Sequence, residues 1–256
     1  MIGIIQGRLT VPWNGQLQCF PRQAWEPEFE RARACGLDAI EPFVEVEYNA
    51  DNPVWSAEGR RRLSELSRNT GVAIPTLCAD CFMGTPFATD PDRSSELLKT
   101  LVGFGFRRIV LPFFEKAEIR TPADVAAIAR VLRAVDRKEV DLALETTLTA
   151  EKLIPVAEEL QASVCYDLGN TTALGHEIAA DIRRLGKRIT HVHVKDKLRS
   201  DGRNVLLGTG DTDFKGAFRA LKDIRYDGGY TMETFRGDDP VETAKRHRQF
   251  VEGFLR

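Results

Sequence analysis

Short apolar runs of strand type alternate along this chain with amphipathic stretches of helix type, and no linker separates them; this alternation constrains the fold more than any other feature. Strands are expected near 2–5, 38–42, 72–77, 107–112, 140–145, 163–167, 189–194 and 229–233, from clusters such as Val72-Ala73-Ile74 and Arg108-Ile109-Val110-Leu111. Helices are expected over Arg22–Cys35, Ala57–Thr70, Pro91–Phe104, Pro122–Lys138, Ala150–Gln161, Glu177–Gly186, Phe214–Ile224 and Pro240–Leu255. Thr121-Pro122-Ala123-Asp124 reads as a helix entrance, and Cys35-Gly36, Thr70-Gly71 and Phe104-Gly105 read as exits. Repeated βα units imply parallel strands, and eight of them in 256 residues imply closure into one (β/α)8 barrel, a single α/β domain over 1–256. An open dinucleotide-binding sheet fits less well. Ile5-Gln6-Gly7-Arg8-Leu9 carries one glycine where a Gly-rich phosphate turn belongs.

Charge and composition narrow the partners. The 38 acidic residues nearly balance 36 basic ones, and no basic stripe with interleaved aromatics occurs, so a small soluble substrate is expected and nucleic acid is not. Apolar runs stay well short of the roughly 18 residues that span a bilayer. The chain begins directly on the strand-like Met1-Ile2-Gly3-Ile4-Ile5, and a cytoplasmic location is expected. Cys19, Cys35, Cys78, Cys81 and Cys165 form an odd, scattered set in a chain too large to need disulfides, so reduced thiols are expected.

Four apolar runs of the second half end in metal-capable side chains: Glu145, Asp167, His193 and Glu233. Residues i and i+2 of a strand share a face, so Ala143 with Glu145, Cys165 with Asp167, His191 with His193, and Thr231 with Glu233 would point into the barrel. Catalytic groups of such barrels gather at the C-terminal strand ends, where these four would meet. Taken singly, each has a bland reading as a cap, a loop acceptor or a satisfied core histidine. Together, three carboxylates and an imidazole in one mouth would repel and be costly to desolvate without a cation. One divalent ion is therefore expected, with Mn²⁺, Mg²⁺ or Co²⁺ favoured by the oxygen-rich donor set and Zn²⁺ also compatible.

These residues, together with Ile4-Ile5-Gln6-Gly7-Arg8-Leu9, Phe20-Pro21-Arg22, Trp25 and Gly36-Leu37-Asp38-Ala39-Ile40-Glu41, carry a resemblance to the sugar phosphate isomerase/epimerase group of the xylose isomerase-like TIM barrels. In the second half it continues through Tyr166-Asp167-Leu168-Gly169-Asn170, His191-Val192-His193-Val194-Lys195-Asp196, Gly208-Thr209-Gly210, Asp213-Phe214 and Met232-Glu233. Similarity to the tagatose and ribulose 3-epimerase branch implies that Glu145, Asp167, His193 and Glu233 bind one metal ion, with Glu145 and Glu233 doubling as base and acid. It implies a metal-dependent epimerase or isomerase of sugars or sugar phosphates that works through a cis-enediolate, foremost in ketose 3-epimerisation. Inversion needs two proton-transfer groups on opposite faces of a flat intermediate, which two glutamates from different strands would supply.

By the same resemblance, Arg199, six residues past His193, contacts substrate, while Asn170 stands where the epimerases often carry a histidine. Lys195 and His191 belong to the shared motif as substrate contacts. Gln6 and Arg8 lie where the first strand meets the mouth, with pairing of Arg8 to Glu41 or another barrel-rim acid as the alternative. Trp13 and Phe82 are candidate lids. Cys78-Ala79-Asp80-Cys81 has no second pair and reads as strand-end packing, and Gly208-Thr209-Gly210 reads first as a turn. A keto-inositol dehydratase with the same enolate chemistry and a non-catalytic sugar-binding module remain open, as does a homo-oligomer. Four histidines are too few for a three-metal DNA-repair centre.

Overall fold

The computed structural model describes residues 1–84, 87 and 89–256. Its parallel strands are β1 (Ile2–Ile5), β2 (Ala39–Glu41), β3 (Thr76–Cys78), β4 (Arg108–Phe113), β5 (Asp141–Thr146), β6 (Ser163–Asp167) and β7 (Ile189–Val194), followed by a small antiparallel pair, β8 (Asp196–Lys197) and β9 (Asn204–Val205), and by β10 (Gly229–Met232). Parallel neighbours follow the order β2, β1, β10, β7, β6, β5, β4, β3. Lone bridges Ala39 to Ala73 and Phe43 to Cys78 join the two ends, so the sheet is a nearly closed barrel. Helices α1 (Pro27–Ala34), α2 (Ala57–Thr70), α3 (Cys81–Gly84), α4 (Pro91–Val102), α5 (Pro122–Arg133), α6 (Ala150–Leu160), α7 (Leu168–Ala173), α8 (Ile178–Leu185), α9 (Phe214–Asp223) and α10 (Pro240–Leu255) complete the chain.

Local chemistry explains where the helices begin. Ser56, Asp90, Thr121 and Asp239 each place a side-chain oxygen on an otherwise unpaired N–H of the first turn, and proline occupies an early position in α4, α5 and α10. At α5 the cap is reciprocal, since Asp124 also accepts from the Thr121 N–H.

The third strand starts later than the expected 72–77, and the reason is proline. A continuous ladder between β2 and the third strand would need N–H donors from Pro42 and Pro75, which have none. The seam keeps the bonds above and below them: Ala73 N–H to Asp38 O and Ile40 N–H to Ala73 O, then Cys78 N–H to Pro42 O and Val44 N–H to Cys78 O. The barrel therefore closes through two short stretches of pairing.

Alternation sorts the strand side chains. Leu142, Leu144, Val164, Val192, Val194 and Met232 are buried between sheet and helices in the main core. Ile5, Phe43, Cys78, Val110, Ala143 and Cys165 form a separate apolar cluster inside the barrel. Buried Glu145, Asp167 and His193 lie at the C-terminal strand ends above this cluster, which places a candidate site there.

Candidate active site

Strand ends deliver the four expected donors to one point. Glu145 lies at the end of β5, Asp167 ends β6, His193 sits on β7 in register with both Asp167 and Thr231, and Glu233 follows β10, its N–H held by Val194 O. Nδ1 of His193 is 3.3 Å from Glu233 Oε2, 3.5 Å from Glu145 Oε2 and 3.9 Å from Asp167 Oδ2. Potential ligand atoms of all four residues lie within 4.8 Å of one another. Metal–oxygen bonds of about 2.1 Å put adjacent donors about 3 Å apart and opposite donors about 4 Å apart, so the spacing is that of a cation cage. His193 Nδ1 is buried without a hydrogen-bond partner among the described residues, with three carboxylates close by. A divalent ion fits that orphaned atom, and the group is one able to bind a metal.

Lys195 is the internal cation. Its Nζ is 2.8 Å from Asp167 Oδ2 and 2.8 Å from Glu233 Oε2. Its stem crosses Gly169 so closely that a Cβ there would lie 2.2 Å from Lys195 Cγ, and only glycine leaves that path open. Three carboxylates outnumber the two buried cations that face them, Lys195 and Arg8, so the cluster keeps a negative balance that favours a bound cation. Burial opposes the ammonium, yet Asp167 and Glu233 hold the Lys195 pKa above its usual value. Burial pushes Glu145 up to about 7. The same burial acts on Glu233, but Lys195, His193 and Arg8 overcome it and hold that carboxyl below the ordinary range. For His193, burial disfavours the charged ring, while Cys165, Glu145 and Glu41 raise its pKa well above the usual value. That position attracts positive charge.

Below the mouth, Glu41 links the two histidines. Its Oε2 accepts from His191 Nε2 at 2.8 Å and from the Thr231 hydroxyl at 2.5 Å, and its Oε1 accepts from His193 Nε2 at 3.1 Å. Of the rim acids, Arg8 therefore meets Glu233 and not Glu41. Arg8 is buried, faces Glu233 Oε1 at 3.7 Å and donates to Leu17 O and Gln18 Oε1, so it ties the first loop over the mouth. His191 is bonded to Glu41 and Thr231.

Gln6 is 1% exposed, and neither polar atom of its amide has a hydrogen-bond partner among the described residues. Asn170 donates through Nδ2 to Glu145 Oε1 at 3.3 Å, and its N–H binds Asp167 Oδ1. Arg199 sits in the turn between β8 and β9, exposed, with its backbone N–H on Asp211.

Of the two candidate lids, Phe82 is fully buried and stacks on Phe87, so it belongs to the core. Trp13 is largely exposed, with the Arg22 guanidinium 3.4 Å from its ring centroid and its indole N–H on Phe20 O. The Gly208-Thr209-Gly210 segment spends its amides internally: Gly208 and Gly210 donate to Asp196 Oδ2, and Thr212 donates to Oδ1. Cys78 donates to Asp80 Oδ1, and all five cysteines are buried free thiols.

Sequence reasoning did not anticipate three neighbours of the mouth. Asp80 is buried, its Oδ2 accepting from Gln18. Arg236 donates from Nε to Gly7 O and from Nη1 to Gln16 O. Glu28 accepts from the N–H groups of Gly7 and Leu9, which fixes the loop that carries Arg8. Each lies on a loop or helix outside the strand periodicity, and no local pattern marks it.

Residues 29–254 match the family model described as the xylose isomerase-like TIM barrel. The L-ribulose-5-phosphate 3-epimerase UlaE of Escherichia coli strain K12 is 24% identical over 254 residues, covering 90% of this chain and 89% of its own. Among solved structures, a D-allulose 3-epimerase from Methylomonas sp. superposes with a TM-score of 0.74 at 19% identity, covering 99% of this chain and 97% of its own. A D-psicose 3-epimerase from Clostridium cellulolyticum H10, solved with D-tagatose, gives 0.73 at 18% identity and covers 99% of both chains. At these identities the structural likenesses establish the fold. Among the described residues, no helix is long and apolar enough to cross a membrane.

Proposed function

Because the chain belongs to the xylose isomerase-like TIM barrel family, and its curated relatives carry the names of ketose 3-epimerases, we propose that it is a divalent-metal-dependent enzyme that inverts the carbon next to the carbonyl of a ketose or ketose phosphate. The observation that carries this reading is the convergence of Glu145, Asp167, Glu233 and an orphaned His193 nitrogen at one mouth. Those four residues would hold one divalent ion, with Mn²⁺, Mg²⁺ or Co²⁺ suited to an oxygen-rich set. A bound ion would polarise the carbonyl and make the neighbouring C–H more acidic.

Glu145 and Glu233 come from β5 and from the end of β10, on different walls of the barrel. One takes the proton from the carbon beside the carbonyl, and the other returns a proton to the opposite face of the resulting cis-enediolate. Lys195 lies against Glu233 and Asp167, where it counters charge that builds on substrate oxygens. Gln6 and Asn170 would hold sugar hydroxyls, the unpartnered Gln6 amide being the clearest vacancy for a polar ligand. Arg8 would orient Glu233, His191 would support the donors from below, and Arg199 would reach an anionic or hydroxyl group of the substrate from the hairpin turn. Five buried thiols suit a reducing, cytoplasmic setting, and association with a second copy is part of the same reading. The dehydratase and sugar-binding alternatives are not favoured by the relatives.

Incubating Mn²⁺-supplemented protein with free and 5-phosphorylated ketoses in D₂O tests this directly. Deuterium should enter at the inverted carbon, and Glu145→Gln or Glu233→Gln should each slow turnover by at least about 100-fold. Full activity in either variant removes that residue from the chemistry. Carbonyl migration or loss of water, in place of inversion, would replace the epimerase reading.

A further inference from the structure

We propose that Glu41 is a positioning residue: it fixes the tautomer of His193 and turns Nδ1 toward the three carboxylates, which makes cation affinity at the mouth depend on a residue that touches neither ion nor sugar. The inference rests on the metal site proposed above. Glu41 stands on β2, across the barrel from β7, and its carboxylate is 2% exposed. Three side-chain groups surround its two oxygens, at 2.8 Å (His191 Nε2), 3.1 Å (His193 Nε2) and 2.5 Å (Thr231 Oγ1).

An ionised carboxylate only accepts hydrogen bonds. Both histidines must therefore carry a proton on Nε2, and a neutral His193 must present its lone pair from Nδ1. That lone pair lies 3.3 to 3.9 Å from Glu233, Glu145 and Asp167. Glu41 and the three carboxylates thus lie at opposite nitrogens of the His193 ring, so the remote carboxylate orients the ring and would raise its basicity toward a bound cation. Thr231 and His191 hold the carboxylate from the side away from His193. The two rings meet edge to face, centroids 5.3 Å apart.

Glu41→Gln keeps the shape and removes the all-acceptor character. Its amide can turn an NH₂ toward His193 Nε2, which moves the ring proton to Nδ1, where an ion would bind. Calorimetric titration with Mn²⁺ should show affinity about 10- to 100-fold weaker than wild type. With Mg²⁺, nitrogen NMR of the wild type should show His193 protonated on Nε2, and the variant should lose that signature. Thr231→Val, a milder change that removes one of the two donors on Glu41 Oε2, should weaken Mn²⁺ binding several-fold and decides the matter if the glutamine variant does not fold. A folded Glu41→Gln protein that binds Mn²⁺ as wild type does, or a Thr231→Val protein with unaltered affinity when the glutamine variant fails to fold, overturns the role of Glu41. Failure of wild type itself to bind any divalent ion overturns the metal site instead, so the two failures are separable.

Discussion

Asp196 gathers three backbone N–H groups of one loop, and its loss should be costly. The residue follows Lys195 directly and is 1% exposed. Its Oδ2 accepts N–H groups of Gly208 at 2.9 Å and Gly210 at 2.8 Å, and its Oδ1 accepts that of Thr212 at 3.1 Å. A Cβ on Gly210 would lie 2.3 Å from Oδ1, so the loop is closed tightly around the carboxylate. Hydrogen bonds to a charged acceptor contribute about 1.5 to 3 kcal/mol each, and an orphaned buried N–H costs about 1 to 3 kcal/mol. Asp196→Ala orphans three such groups; allowing for water entering the space left, the loss should be about 4 kcal/mol. In a domain of this size that lowers the melting temperature on the order of 10 °C. Asp196→Asn keeps one accepting oxygen but points an amide donor at another N–H, so about half that loss is expected. Urea denaturation followed by circular dichroism measures both through the midpoint and slope. A loss below about 1 kcal/mol for Asp196→Ala, with the slope unchanged, would falsify the view that this carboxylate organises the loop.

Acid stability and the Lys195 path give two further tests. The ring of His247 accepts the Leu207 N–H at 3.2 Å through Nε2, and burial lowers its pKa from 6.5 to about 4. Between those values the unfolded chain binds a proton that the fold does not, so stability contributed by neutral His247 is present above pH 6.5 and lost as pH falls toward 4. The loss should reach about 3 kcal/mol, and His247→Gln should flatten that part of the urea-midpoint curve; parallel curves for the two proteins would dismiss the residue as an acid sensor. Gly169→Ala should push the Lys195 stem off its path, lower stability by about 1 to 3 kcal/mol, and reduce kcat/KM by about 100-fold through the displaced ammonium. Wild-type rates in that variant would mean that the stem yields without moving its charge.

Much of the site is legible in the sequence because a strand repeats every two residues. Once His193 is taken as inward, His191 is inward too, and the same parity carries Glu145, Asp167 and Glu233 to one face at one end. Capping residues such as Thr121 and Asp124 are legible for a similar reason, since their partners lie three residues away. Where a local rule was overridden, a distant group intervened. The third strand begins at Thr76 because Pro42, just past β2, and Pro75 both lack the N–H that the ladder would need between Ala73 and Cys78. Phe82 stands near the mouth in sequence, yet Phe87 and Phe113 draw that stretch into the core.

The chain by itself therefore determined the eight βα units and the set of side chains aimed at the mouth, since both follow from covalent spacing and backbone periodicity over a few residues. Closure of the barrel alone decided which groups those side chains meet. Glu41 and His193 are 152 residues apart and on strands that do not pair, and Arg8 reaches Glu233 from the opposite end of the chain. Such contacts depend on curvature and register summed over the whole sheet, and no local pattern carries that sum.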